Sequence, residues 1–141
     1  MTATAILIDA GPLIALIDTA HAATHQKCVA AVKAISQPVV TTLPCFTEAM
    51  YFLGELSGWR GQAALWRYVE AQQIIFHSQT ADEWMRMRQL MEQYRDTPMD
   101  FADASLVSLA EARGLRRILT LDNDFYVYRI NGRESFEVIQ L

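Results

Sequence analysis

Short apolar runs alternate along the chain with longer stretches in which apolar residues recur every three or four positions. Five runs predict strands: Ala5–Ile8, Pro38–Thr41, Ile74–His77, Arg117–Thr120 and Phe136–Ile139. They are short and rich in Ile and Val, as strands buried on both faces should be. The stretches between them carry helix signals. Pro12 stands early, where a missing N–H costs nothing, ahead of Leu13, Ile14, Leu16 and Ile17. A second helix is expected from about Ala22 to Ile35. A third begins at Pro44, with Phe46, Ala49, Met50 and Leu53 at helical spacing, and a fourth covers Trp59–Gln72. Thr80-Ala-Asp-Glu83 has the form of a capping box, followed by Trp84, Met87 and Met91 on one face. The sixth helix runs from Asp100 to Ala112 and is stopped by Gly114. Strands separated by helices imply parallel pairing through right-handed crossovers. The expected fold is therefore a three-layer α/β/α sandwich around a central, mostly parallel sheet. The pattern does not give the strand order.

Length and composition narrow this picture further. The 141 residues fit a single domain spanning 1–141, with no repeat, low-complexity tract or linker to divide it. A chain of this size buries roughly 68–70% of the surface its unfolded form exposes, enough for a substantial core. No stretch approaches the roughly 18 consecutive apolar residues of a membrane span. The first apolar run ends at Asp9 and has no basic segment before it, unlike a signal peptide. Cys28 and Cys45 are the only cysteines, too few for a disulfide framework or a cysteine zinc site. These features lead us to expect a cytoplasmic protein without a membrane partner. The formal net charge of −4 opposes binding nucleic acid by bulk electrostatics. It leaves a nuclease open, because a site that gathers carboxylates to hold cations is acidic by design.

In open parallel sheets, ligands bind beyond the carboxyl ends of the strands, so the polar residues just after each strand matter most. Asp9 follows the first strand directly. Glu48 lies in the early turns of the helix after the second, and Asp122 and Asp124 follow the fourth. Asp100 and Asp103 open the helix that leads into that fourth strand. Each has a structural alternative. Asp9 can cap a helix, Glu48 can face solvent, Asp100-Phe-Ala-Asp103 has capping-box spacing, and Asp122-Asn-Asp124 can be a polar turn. The helix from Asp100 shifts the balance. It carries Ala102, Ala104, Leu106, Val107, Leu109, Ala110 and Ala112, the all-round apolarity of a buried element. Asp100 and Asp103 lie about 60° apart around its axis. Two like charges beside a core are costly unless a cation or donors compensate them. Converging carboxylates suit Mg²⁺ or Mn²⁺, hard ions that take oxygen ligands.

Four ordered segments resemble the motifs of PIN domains. They are Ile-Leu-Ile-Asp9 before Gly-Pro-Leu, Thr41-Thr-Leu-Pro-Cys-Phe-Thr-Glu48, Met99-Asp100-Phe-Ala-Asp103-Ala-Ser-Leu-Val, and Ile118-Leu-Thr-Leu-Asp122-Asn-Asp124-Phe. Each is weak alone; the ordered set, spanning essentially the whole chain, is strong. The length is similar to that of VapC-type toxins. The resemblance implies a metal-dependent endoribonuclease using Mg²⁺ or Mn²⁺. Its acidic core would be Asp9, Glu48, Asp103 and one of Asp122 or Asp124, with Asp122 favoured because it is nearer the strand end. Asp100 is an additional candidate ligand, which makes Asp9, Asp100, Asp103, Asp122 and Asp124 the possible metal-binding set. The resemblance also implies an RNA substrate, a small cognate antitoxin and a homodimer. Ala10 stands where relatives commonly have Thr or Ser, which removes a local hydroxyl contact to Asp9.

Other features weigh less. His21 and His25 have the spacing of a helical metal pair, but a surface helix explains them better. Thr120 is a candidate donor to a phosphate, although a strand-end threonine is more often structural. Trp59, Trp66 and Trp84 fit a core or a partner groove better than a base-stacking platform. A phosphatase of the haloacid-dehalogenase type needs a second Asp at the position of Gly11. A response regulator needs an acidic pair after the first strand. The remaining rival is a non-catalytic RNA-binding or protein-interaction module on the same fold.

Overall fold

The computed structural model describes residues 4–141. Five of its strands form one wholly parallel sheet: β1 (Ile6–Ile8), β2 (Val39–Thr42), β3 (Ile74–His77), β4 (Arg117–Leu119) and β7 (Glu137–Val138), ordered β3-β2-β1-β4-β7. The sheet is flanked by helical layers, so the α/β/α architecture holds. Its central strands are buried on both faces, which is why the sequence shows continuous Ile, Leu and Val there instead of alternation. Register aligns Leu7 with Val40 and with Ile118, so the strands end together at one edge.

The helices are α1 (Ala10–Ala15), α2 (Ala22–Ala34), α3 (Leu43–Ser57), α4 (Trp59–Glu70), α5 (Ala81–Gln93) and α6 (Phe101–Arg113). Their starts follow the expected chemistry. Thr42 caps α3 by accepting from the Cys45 N–H at 3.3 Å, and Pro44 occupies the first turn. Thr80 and Glu83 form both bonds of their capping box at the head of α5. Gly114 closes α6 in the left-handed region at φ 66°, where a Cβ would be strained. Every residue of α6 from Ala102 to Ala110 is buried. Its Ala and Ser side chains let it pack closely against α3, α5 and β2.

Two elements depart from the expected pattern. A 3₁₀ turn over Asn123–Tyr126 follows β4. A small antiparallel pair, β5 (Arg129–Ile130) with β6 (Glu134–Ser135), precedes β7. It turns through Asn131 and Gly132, both at positive φ, the local signal that such hairpins use. Among the described residues no helix is long and apolar enough to cross a membrane.

Candidate metal centre

The parallel register gathers the residues that follow β1, β2 and β4 at one edge of the sheet, and the N-terminus of α6 joins them. Asp9 directly continues β1, and its N–H still pairs with the Leu119 carbonyl at 3.1 Å. Thr41 ties the next strand to the same edge by donating to the Ile8 carbonyl at 2.9 Å. Asp9, Asp103 and Asp122 each present a carboxylate oxygen, and the three oxygens lie within 4.8 Å of one another. A cavity of about 380 Å³ opens over them, and five of its eight lining residues are acidic: Asp9, Glu48, Asp100, Asp103 and Asp122. Asp124 does not line it.

Asp9, Asp100, Asp103 and Asp122 each accept from neutral donors. Asp9 Oδ1 accepts from the Ala10 N–H at 2.7 Å, and Asp9 Oδ2 accepts from the Thr120 hydroxyl at 2.9 Å. Asp9 therefore has a hydroxyl partner although residue 10 is alanine. Thr120 also accepts from the Asp122 N–H at 3.0 Å, so its hydroxyl is committed to supporting two acids and is not free for a phosphate. Asp122 Oδ1 accepts from the Asp124 N–H at 2.9 Å and so caps the 3₁₀ turn. Asp100 and Asp103 exchange the two bonds of a capping box. The structural and functional readings of that pair are thus compatible, because one oxygen can cap while another faces the cavity.

The electrostatics are those of uncompensated like charges. Burial raises the Asp103 carboxyl to about 7, and the neighbouring Asp100 and Asp9 charges add to the rise. Burial likewise lifts Asp9, although its bonds from Thr120 and Ala10 work in the other direction. Glu48 is raised by burial and then by Asp100 and Asp9. No Lys, Arg or His lines the cavity among the described residues. Carboxylates arranged this way cost free energy unless a cation neutralises them. An all-oxygen donor set of this kind could hold a hard divalent cation.

Sequence reasoning overlooked two residues here. Tyr128 donates its hydroxyl to Asp103 Oδ2 at 3.0 Å. Cys45 backs the site from α3, with its sulfur 3.9 Å from Asp9 Oδ1 and 3.7 Å from the Ala102 carbonyl oxygen. Burial, followed by the Asp9 charge, pushes its thiol pKa upward. His25 Nδ1 lies 2.8 Å from the Ala15 carbonyl oxygen and ties α2 to α1, and neither His21 nor His25 joins the cluster of acids.

With this site at the carboxyl edge of a parallel sheet, the class is defined. The chain belongs to the PIN domain family, whose model matches residues 6–131, a family of nucleases. No curated protein matches it closely enough in sequence to extend that assignment. Solved structures share the fold. Mycobacterium tuberculosis VapC20, a sarcin-ricin loop cleaving toxin, is similar at a TM-score of 0.78 and 18% identity, covering 86% of this chain and 93% of that one. VapBC2 from Rickettsia felis, bound to a DNA fragment from its promoter, matches at 0.67 and 12%, covering 96% and 98%. A toxin–antitoxin complex from Klebsiella pneumoniae matches at 0.64 and 20%, covering 96% of each chain.

Proposed function

We propose that this chain is a divalent-metal-dependent endoribonuclease, the toxin of a toxin–antitoxin pair, acting in the cytoplasm as one domain. The observation that carries the reading is the set of three carboxylate oxygens within 4.8 Å in a pocket without a cationic side chain. Asp9, Asp103 and Asp122 would hold Mg²⁺ or Mn²⁺, with Asp100 within reach of the same cavity and Asp124 behind Asp122 as the weaker candidate. A cation held by these carboxylates would supply a water of lowered pKa and charge to offset that of the scissile phosphate. Glu48, which lines the same cavity and is only partly buried, is suited to orient the attacking water. Thr120 and the Ala10 N–H hold Asp9 in place without contributing charge. A module that only bound RNA would gain nothing from five acids around one cavity. Carboxylates repel phosphates, so the non-catalytic reading is the poorer fit.

RNA as substrate, a small antitoxin as partner and a homodimer are further parts of this proposal. They draw support from the family and from neighbours described as a loop-cleaving toxin and as toxin–antitoxin complexes. The decisive experiment is cleavage of total RNA by the purified protein with Mn²⁺, with Mg²⁺ and with chelator, followed by sequencing of the 5′ ends. Cleavage that continues in chelator, or survives both Asp9→Asn and Asp103→Asn, would remove the metal mechanism. Expression alone should arrest growth, and co-expression of a small protein encoded alongside should relieve it. Arrest by Asp9→Asn and Glu48→Gln as strong as by wild type would detach any toxicity from the chemistry.

A further inference from the structure

One residue outside the four acidic segments holds a member of the triad directly. Tyr128 is completely buried, and its ring packs edge-on against Tyr94 and Phe125, each with centroids 5.1 Å away. That packing fixes where its hydroxyl points. The hydroxyl donates to Asp103 Oδ2 at 3.0 Å, and the Asp100 N–H approaches the same oxygen at 3.4 Å. Both donors fall on Oδ2, so the carboxylate is pinned through one oxygen and the other is left without a donor. The stretch from Thr120 to Tyr128 also serves the other two acids. Thr120 donates to Asp9 Oδ2, and Asp122 contributes its own carboxylate. One short segment after β4 thus touches or supplies every member of the triad.

We propose that Tyr128 is a positioning residue for the metal centre: its hydroxyl sets the orientation of the Asp103 carboxylate toward Asp9 and Asp122, and thereby the affinity for the cation. The inference rests on the metal-centre reading above and assigns the orienting task to a residue beyond the acidic segments. The bond is not needed to start α6, because Asp100 and Asp103 already cap that helix reciprocally. The aromatic packing does not need it either, since a phenylalanine ring would occupy the same place. What the hydroxyl adds is a fixed donor behind a ligand, the arrangement by which partners behind the ligands tune metal sites.

Calorimetric titration of Mn²⁺ into the metal-free full chain tests this. Tyr128→Phe should weaken binding about 10- to 100-fold, the range typical when a partner behind a ligand is removed. Tyr94→Phe is the matched control. Its hydroxyl lies in the same aromatic cluster but accepts from the Arg129 N–H at 3.1 Å, away from the acids. It should bind Mn²⁺ like wild type. RNA cleavage by Tyr128→Phe should recover toward wild type at saturating Mn²⁺, with KM for RNA unchanged, which a merely structural loss would not produce. Equal Mn²⁺ affinity in wild type and Tyr128→Phe overturns this inference alone, as does equal weakening in both tyrosine variants. A wild-type protein that binds no Mn²⁺ overturns the metal centre, and this inference with it.

Discussion

Two cavities meet at Glu48 and Asp100 and differ in almost every other respect. The smaller, over the triad, is acidic, and four of its five acids are held by hydrogen bonds. The larger, about 670 Å³, runs between the start of α3 and the starts of α5 and α6, and its walls are Leu43, Pro44, Tyr51, Trp84 and Phe101. Trp84 and Phe101 stack there with nearly parallel rings, 5.8 Å between centroids. The acid pocket stores unfavourable electrostatic energy, and the groove leaves apolar surface in water. The first cost is relieved by an ion and the second by burial. Substitutions in the two places should therefore act on different quantities: metal affinity and catalysis in one, packing in the other.

The largest effect is expected at Asp103. Asp103→Asn keeps the side chain's size and removes its charge, so Mn²⁺-dependent cleavage should fall by more than the roughly 100-fold loss that follows changes behind the ligands. A cleavage assay at fixed Mn²⁺ that showed a smaller loss would move the centre away from α6. Next comes the fourth acid. Asp122→Asn should reduce activity far more than Asp124→Asn, because Asp122 lines the cavity and Asp124 does not. Equal losses would mean that both carboxylates reach the metal.

The third effect is on stability. Asp103 binds a proton more tightly in the fold, where its pKa is about 7, than in the unfolded chain, near 3.8. Between those values the native state holds more protons than the unfolded one, so stability must fall as pH rises from about 4 to about 7. In chelator, the melting temperature should be higher at pH 5 than at pH 7.5. Asp103→Asn should flatten that slope, and Mn²⁺ should oppose it by favouring the ionised form. A wild-type slope that Asp103→Asn leaves intact would place the strain in other residues. The smallest effect belongs to the groove. Trp84→Ala gives up one ring stack at a partly exposed position, about 1 kcal/mol in a denaturant titration, and should leave Mn²⁺ affinity unchanged. A change in affinity would show that the two cavities are coupled through Asp100.

The acid pocket was far more legible in the sequence than the groove. An acid at the end of an apolar run signals a strand edge, and Asp9 and Asp122 stand in that position in the fold. Asp103 announced itself through the unbroken apolarity of its helix. The groove depends on how far each aromatic residue projects. Trp84 shares a predicted face with Met87, yet Met87 is buried and Trp84 is 42% exposed. Periodicity gives direction around an axis, not depth. Tyr128 escaped notice because its bond to Asp103 spans 25 residues and its own surroundings have no period. The hairpin of β5 and β6 escaped the sequence reading, because its two-residue strands are too short to show alternation. Strand order is set by crossovers that no local pattern records.

The buried thiols offer a clock. Cys28 and Cys45 are both fully covered, and Cys45 stands against the wall of the acid pocket between α3 and α6. A thiol kept protonated and out of solvent reacts with an alkylating reagent only when the structure around it opens. The rate at which Cys45 is modified therefore counts the partings of α3 from α6. Comparing that rate with and without Mn²⁺ would time how often the pocket comes apart and how strongly an ion slows it.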